Sequence, residues 1–333
     1  MLYVRAAGPG DLPAMMELAR LSGPGFTSLP EDEATLAARL ALSEASFAGA
    51  AAHDEAWYTL MLVDAATGSV EGVAGVRAAV GGKRPHFSFR VVTLAQYSAA
   101  IDTRFDHQAL VLVNECNGWT EVGSLFLRPG RRAGGAGKML ARSRYMLLGA
   151  DPTRFADTVM AELRGWFEED GHSPFWDGVA SKFFRLPFDD ADRLITSSDG
   201  QFIRDLAPRH PIYVELIEER ACRAIGRVHR DGAAALALLR KEGFERSGLI
   251  DVFDGGPTVT ARRDAIRTVA DARDWPVAIG VPTGGEMMLL STKAIHAFRT
   301  TQARAAIEGE RLVIDAATAD ILRVRDGDVV RAA

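Results

Sequence analysis

The sequence lacks the features that mark secreted, membrane-spanning and nucleic-acid-binding proteins. Only two cysteines, Cys116 and Cys222, occur among 333 residues, which is too few for a disulfide framework and typical of a reducing compartment. No stretch reaches the roughly 18 apolar residues of a spanning helix, and the start MLYVRAAGPGDLP does not predict a signal peptide. No basic tail or stripe accompanies the net charge of −5, so nucleic acid is not an expected partner. We therefore expect a cytoplasmic protein that binds neither membranes nor nucleic acid.

The size and composition are those of an ordinary globular protein. The chain is 47% hydrophobic and 25% charged, and its length indicates about two domains. The histidines and cysteines show neither C-x-x-C nor H-x-x-x-H spacing, so no metal site is expected.

Alternating and helical patterns predict an α+β chain. AWYTLMLVDAATGSVEGVAGVRAAV indicates a hairpin, and LVLVNECNGWTEVGSLFL indicates a second one around the Asn117-Gly118 turn. Residues 165–232 are mixed and mostly helical, and GAAALALLRKEGFERSGLIDVF predicts a helix ending at Gly243 before a late strand. Beyond residue 275, short alternating runs predict a small β-rich domain that continues to residue 333.

A glycine-rich turn follows the strand-like run SLFL and precedes a helical pattern, in SLFLRPGRRAGGAGKML. Backbone N–H groups at such a turn bind anions, and three anions compete. The triphosphate loop G-x-x-x-x-G-K-[ST] fails because Arg132 replaces its first glycine and Met139 its hydroxyl residue. The dinucleotide fingerprint G-x-G-x-x-G also lacks a glycine at the required spacing.

RAGGAG, from Arg132 to Gly137, matches the R/Q-x-x-G-x-G/A signature of acyl-coenzyme A N-acyltransferases. Gly134, Gly135 and Gly137 would let backbone N–H groups approach the pyrophosphate, and Arg132 would add a charge-assisted contact. This motif alone fits a purely structural strand-to-helix turn, with glycines for close packing, about as well as it fits a pyrophosphate site.

Longer blocks resemble one family, the arginine N-succinyltransferases of bacterial arginine catabolism. They are FTSLPEDEATLAARL, FSFRVVTL, TEVGSLFLRPGRRAGGAGKMLARSRYM, AELRG, SPFW, HPIYVEL, IGRVH and LLRKEGFERSGLIDVFDGGPT. The resemblance implies transfer of a succinyl group from succinyl-coenzyme A to the α-amino group of L-arginine by direct attack in a ternary complex. It implies a GNAT-like domain over residues 1–270, with a large helical insertion at about 165–232, and a small β-rich domain over 275–333.

The resemblance also implies site residues. The family's proton-donating histidine falls on His229 in IGRVH, and its succinyl-coenzyme A contact falls on Leu125 in SLFL. At NECNG the sequence departs from relatives, which have Asp where this chain has Glu115 and another residue at Cys116; this concerns the substrate pocket more than the reaction. Without the resemblance, His229 would be no better than an even choice between a catalytic and a surface or capping role.

Neighbouring residues complete the expected site. Glu121 shares a strand face with Leu125 and Leu127 by the period of two; it is either a base or guanidinium ligand, or a solvated residue at a strand start. Leu125 would act through its backbone N–H, and Leu127 would contact the coenzyme. Asn114, Glu115 and Arg90 are candidates for binding the substrate, and Arg90 could instead bind the succinyl carboxylate or be a surface arginine.

Other functions stay open. The acceptor could be ornithine, the chain could be one subunit of an arginine/ornithine enzyme, or the fold could bind an acyl-coenzyme A without chemistry. Acylation of protein lysines is a weaker option. We expect no permanently bound cofactor, succinyl-coenzyme A as co-substrate, and a symmetric homo-oligomer.

Overall fold

The structure, a computed structural model, describes residues 1–23, 28–83, 85–131, 134–188, 190–191, 194 and 201–333. The described strands are β1 (Leu2–Ala6), β2 (Trp57–Asp64), β3 (Val70–Arg77), β4 (Ser88–Ser98), β5 (Thr103–Val113), β6 (Thr120–Leu127), β7 (Thr158–Glu162), β8 (Ile212–Tyr213), β9 (Glu245–Asp251), β10 (Pro257–Arg262), β11 (Arg273–Ile279), β12 (Glu286–Thr292), β13 (Arg299–Glu308), β14 (Arg311–Ile314) and β15 (Val329–Ala332). The described α-helices are α1 (Leu12–Ser22), α2 (Glu33–Ala48), α3 (Ala136–Ala150), α4 (Ser181–Phe184), α5 (Gln201–Leu206), α6 (Glu219–Cys222), α7 (Ala233–Lys241), α8 (Arg267–Asp271) and α9 (Ala316–Leu322). The prediction of a mixed chain of helices and mostly antiparallel strands is confirmed.

Internal contacts divide the chain into two compact units that do not follow its linear order. The first unit consists of Met1–Ala79, Trp119–Val159 and Arg262–Ala333, and the second of Val80–Gly118 and Met160–Ala261. We describe the two units separately.

The first unit contains an antiparallel array in the order β1-β2-β3-β6. The predicted hairpin of β2 and β3 is confirmed by registers such as Leu60↔Ala74. Helix α2 begins after Asp32, whose carboxylate accepts a hydrogen bond from Thr35 N at 2.7 Å. The helices α1 and α2 bury an apolar cluster against the sheet, whose members include Met15, Leu18, Leu36, Leu40, Met61, Val73 and Phe126. Each such side chain stabilises the fold by about 1.5–3 kcal/mol.

The strands after residue 272 close into a ring in the first unit. The pairing order β12-β15-β11-β14-β13 is completed by pairing between β13 and β12, and β11 and β14 are parallel. Its interior is apolar and holds Val277, Leu290, Leu312, Ile314, Leu322 and Val330. Strand β13 also pairs with β1, in the register Tyr3↔Thr301. Closure leaves these short strands without free edges that could pair with other chains.

The second unit has its own antiparallel array, in the order β10-β9-β4-β5-β8. Its core is rich in aromatic side chains: Phe89, Phe175, Trp176, Phe184 and Phe253. Trp176 stacks on Phe184 and on Phe253, with ring centroids 5.9 and 5.8 Å apart. Such pairs add to the stabilisation that area burial provides.

The predicted hairpin around Asn117-Gly118 is wrong. Strand β5 pairs with β4 and β8, whereas β6 pairs with β3 in the first unit. The turn itself exists, because Gly118 has φ +84 and its N–H donates to Val80 O at 2.7 Å. Asn117 Oδ1 accepts a hydrogen bond from His86 N at 2.9 Å. The dipeptide therefore forms hydrogen bonds to the segment that contains Val80 and His86, and it does not connect two paired strands.

Candidate active site

The glycine turn lies in the first unit, between β6 and α3. Gly134 and Gly135 have φ +81 and +84, a left-handed conformation that other residues adopt at a cost. Gly135 is the residue before the first turn of α3, and its carbonyl accepts the N–H of Met139 at 3.0 Å. The first N–H groups of a helix have no partner within the helix, so this turn can bind an anion. Arg132 lies outside the described residues.

A β-bulge interrupts β6 just before the turn. The registers Gly75↔Gly123 and Val73↔Phe126 leave Ala74 alone opposite both Ser124 and Leu125. Ser124 has φ +51 and is buried, and its Oγ donates to Ser28 O at 3.3 Å. A bulge takes one residue out of the hydrogen-bond ladder and re-aims its neighbours. The bulge thus gives a structural basis for a backbone role of Leu125.

Leu127 lies at the end of β6 and packs against the glycines around it. A Cβ on Gly72 would lie 2.6 Å from Leu127 Cδ2, and one on Gly137 would lie 3.2 Å from Leu127 Cδ1. Gly137 therefore lets the first turn of α3 approach the end of the strand. Leu125 and Leu127 are both half-buried.

Glu121 lies four residues before Leu125, on β6. The predicted shared face of Glu121 and Leu127 is wrong, because the bulge places Phe126 opposite Val73, on the face of Glu121, and Leu127 opposite Gly72 on the other face. The Glu121 carboxylate accepts from Arg77 Nη1 at 3.3 Å, and its side chain is 20% exposed. Trp57, Arg77 and Glu121 form one cross-strand row on β2, β3 and β6. The predicted base is thus half-buried and paired with a cation, which the sequence did not indicate.

His229 lies in the second unit, before a short 3₁₀ turn that leads into α7. Its Nδ1 accepts a hydrogen bond from Asp231 N at 3.2 Å, and the backbone N–H of His229 donates to Arg164 O at 2.8 Å. Because Nδ1 is an acceptor, the neutral imidazole carries its proton on Nε2. Burial and the charge of Arg164 lower the pKa of His229, against the opposing effect of Asp231. The neutral ring is therefore a hydrogen-bond donor at Nε2 near neutral pH.

Arg90 and Glu115, two predicted substrate ligands, form an ion pair with each other in the second unit. Arg90 Nε donates to Glu115 Oε1 at 2.6 Å, and a second bond joins Nη2 to Oε2. Arg90 Nη1 also donates to Ser247 O at 3.1 Å. The pairing raises the pKa of Arg90 and lowers that of Glu115. Asn114 is exposed next to Glu115.

Sequence reasoning missed a group of carboxylates in the second unit. Asp254 is buried and accepts the N–H groups of Gly165 at 2.7 Å and of Gly256 at 2.8 Å. Burial raises the pKa of Asp254, and burial together with the charge of Asp254 raises the pKa of Asp251 well above its ordinary value. The D-x-x-D-G-G-P spacing, two acidic residues in a glycine turn, is a signal that could have found them.

Neither cysteine is suited to carry an acyl group. Burial and the charge of Glu162 raise the pKa of the Cys116 thiol to about 12, and burial raises that of Cys222. A protonated thiol is a poor nucleophile.

The described ranges offer neither a metal-binding cluster nor a membrane-spanning helix. Among those residues, no cluster of three or more His, Cys, Asp or Glu side chains is arranged to hold a metal ion. No helix within the same ranges combines the length and apolarity needed to cross a membrane.

Comparison with known families identifies the chain over nearly all of its length. The family described as arginine N-succinyltransferase beta subunit matches residues 2–268, and its C-terminal domain matches residues 273–333. Arginine N-succinyltransferases of Shigella flexneri serotype 5b and Salmonella paratyphi B are 38% and 39% identical, over 99% of this chain and 97% of each relative.

A solved structure supports the same assignment. The arginine/ornithine succinyltransferase subunit AI from Pseudomonas aeruginosa has a TM-score of 0.90 and 32% identity, and the match covers 100% of this chain and 98% of that one. The blocks that suggested the resemblance thus extend to a match along the whole chain, and the chain belongs to the arginine N-succinyltransferase family of acyltransferases.

Proposed function

We propose that this protein transfers the succinyl group of succinyl-coenzyme A to the α-amino group of L-arginine. The observation that carries the proposal is one continuous segment of the first unit, in which the bulge at Ser124 is followed by the glycine turn and α3. This segment offers a re-aimed backbone N–H for a thioester oxygen and helix N–H groups for a pyrophosphate. We also propose a GNAT-like arrangement for residues 1–270, with 165–232 as an insertion and 275–333 as a small β-rich domain; the separate family matches to residues 2–268 and 273–333 support that boundary, although both parts contribute to the first compact unit.

In this proposal the first unit binds the acyl donor. The N–H of Leu125 polarises the thioester carbonyl, and Leu127 contacts the coenzyme while it holds the turn in place. Gly134, Gly135 and Gly137 bind the pyrophosphate through their backbone, and Arg132 adds a charged contact. The co-substrate leaves after each turnover, so no permanently bound cofactor is required.

The chemistry proceeds by direct attack. The free amine attacks the thioester carbon, the carbon–sulfur bond breaks, and the coenzyme leaves as a thiolate that takes up a proton. His229 donates a hydrogen bond from Nε2 to the leaving sulfur, Glu121 accepts the proton of the amine, directly or through water, and the thiolate takes up its proton from solvent. The raised pKa of the Cys116 thiol supports direct transfer over a thioester formed on the protein.

The acceptor site is proposed to include Asn114 and Glu115, with Arg90 holding Glu115 in place. A carboxylate suits the guanidinium of arginine because both groups can bond bidentately. If Michaelis constants for both substrates are unchanged in Arg90→Ala, Arg90 has no part in binding.

The test of the proposed function is release of free thiol from succinyl-coenzyme A, with L-arginine, L-ornithine, L-lysine or no amine. Release that depends on arginine is the expected result. If only ornithine supports release, the acceptor is ornithine and not arginine. If no amine supports release while the coenzyme still raises the melting temperature, the proposed function is wrong and the protein binds the coenzyme without chemistry.

We also propose a cytoplasmic symmetric homo-oligomer. Free rather than paired cysteines support the cytoplasm, and the commonness of symmetric assemblies among such enzymes supports the oligomer. The matching structure is described as one subunit of an arginine/ornithine enzyme, so light scattering on the purified chain is the direct measurement.

A further inference from the structure

One arginine on the sheet face covered by α2 has no acidic partner. The guanidinium of Arg39 lies over the ring of Trp57, 4.4 Å from its centroid, and its Nη1 donates to Ser28 O. Within the described part of the chain, no carboxylate lies within 4.0 Å of this guanidinium. A cation held at a half-buried position without a counter-ion is costly and calls for an explanation.

The charges around Arg39 leave one positive charge uncompensated. Arg77 lies near the same indole ring, 5.3 Å from its centroid, but it is paired with Glu121 at 3.3 Å. Burial and the charge of Arg77 lower the pKa of Arg39 to about 10, while Glu121 opposes the shift. Arg39 is therefore charged at neutral pH, and a bound anion would relieve its unfavourable surroundings.

Two glycines lie on the sheet beside this charge. Gly75 and Gly123 lie opposite each other on β3 and β6, so neither strand places a side chain there. A Cβ on Gly75 would lie 3.4 Å from Trp57 Nε1 and 3.3 Å from Ser124 Oγ. In the residues that the structure describes, the indole N–H has no hydrogen-bond acceptor. A donor and a cation thus lie on the sheet face next to the bulge, and the indole N–H is within van der Waals reach of Gly75.

We propose that Arg39, together with the Trp57 indole N–H, binds the terminal carboxylate of the succinyl group and makes the enzyme selective for a carboxylated acyl chain. This inference rests on the proposed function, which places the thioester carbonyl at Leu125, the residue after Ser124. The succinyl carboxylate is separated from that carbonyl by three carbon–carbon bonds of about 1.5 Å, a span of roughly 4 Å. A planar guanidinium can bond both oxygens of a carboxylate.

A purely structural role does not explain an arginine at this position. Packing on Trp57 could be supplied by methionine, which is also a good helix former and carries no charge to desolvate. An arginine without a counter-ion is better explained as part of a ligand-binding site. Proteins retain residues that lower the stability of the fold where those residues are needed for function.

The experiment compares succinyl-coenzyme A with butyryl-coenzyme A, which has the same number of acyl carbons and no terminal charge. We expect the wild type to prefer succinyl-coenzyme A in kcat/KM, and Arg39→Met to lower the succinyl/butyryl ratio about 100-fold. Arg20→Met, which removes an exposed arginine at the end of α1, is the control and should keep the wild-type ratio. A folded Arg39→Met enzyme whose ratio stays within about threefold of wild type overturns the inference.

A measurement without substitutions covers the case in which Arg39→Met does not fold. Succinyl-coenzyme A, and not butyryl-coenzyme A, should protect Arg39 against phenylglyoxal, as mapped by peptide mass spectrometry. Equal protection by both, or none, refutes the assignment. A wild type that releases no thiol from succinyl-coenzyme A with any amine would remove the proposed function itself, whereas loss of the Arg39 effect alone would leave that function standing.

Discussion

Replacement of His229 by alanine should separate catalysis from stability. The imidazole is positioned by one acceptor bond at Nδ1, 3.2 Å from Asp231 N, and its side chain is 12% exposed. Loss of a capping acceptor costs about 1 kcal/mol. Loss of the positioned Nε2–H donor to the leaving sulfur should lower turnover by roughly two to four orders of magnitude. We therefore expect a folded variant that is slightly less stable and nearly inactive.

The pH dependence follows from the lowered pKa of His229. Because the folded protein binds this proton less tightly than the unfolded chain, the contribution to stability is complete above the ordinary histidine pKa of about 6.5 and is lost as the pH falls through the lowered folded-state pKa. Protonation also removes the Nδ1 acceptor of Asp231 N–H. Thiol release should therefore stay on a plateau to a lower pH than an exposed histidine would allow.

The assay is arginine-dependent thiol release at saturating substrates, together with urea unfolding of each variant. His229→Gln keeps a neutral N–H donor and should retain more turnover than His229→Ala. His53→Ala, which removes an exposed histidine, is the control and should match wild type. Near-normal turnover in folded His229→Ala, or equal turnover in the alanine and glutamine variants, would refute the donor role.

Three further outcomes can be measured on the same protein. Asp254→Ala should lower the free energy of unfolding by roughly 2–4 kcal/mol, because the buried N–H groups of Gly165 and Gly256 lose their acceptor; a loss below about 1 kcal/mol in urea titration would contradict this. Asp251 has a raised pKa, so its contribution to stability is present at acidic pH and lost as the pH rises from about 4; the stability of wild type relative to Asp251→Asn should fall over that range, and a constant difference would be evidence against it. Ser124→Gly should preserve stability and thiol release since φ is +51 there, whereas Ser124→Val should lose about 1–2 kcal/mol and most activity; equal behaviour of the two variants would show that the bulge conformation is unimportant.

Local patterns in the sequence predicted the elements that are built from neighbouring residues. The β2–β3 hairpin and the helix after the glycine turn each lie within about twenty residues, and both are present. The glycines at 134 and 135 were recognisable because their positive φ values exclude most other residues.

Features that depend on a distant partner could not be predicted. β6 shows an unbroken alternation of buried and half-buried residues, so only the register with β3 reveals the bulge at Ser124. The Asn117-Gly118 dipeptide has the same local signal whether the flanking strands pair with each other or elsewhere. Arg39 on α2 contacts Trp57 on β2. The local sequence pattern cannot predict that contact, nor that Arg39 lacks an acidic partner among the described residues.

The pairing of β1 with β13 has a consequence for the order in which the protein is made. Tyr3 lies opposite Thr301, so β1 leaves the ribosome well before its neighbour on that side, which follows almost 300 residues later in the sequence. At 5–20 residues per second, this delay is about 15–60 s. During that time one edge of β1 is unpaired, and contacts of such high sequence separation form slowly. A chain truncated after residue 272 lacks β13 and leaves this edge of β1 unpaired. Truncation there should therefore lower the yield of folded protein more than the small size of the lost segment would indicate.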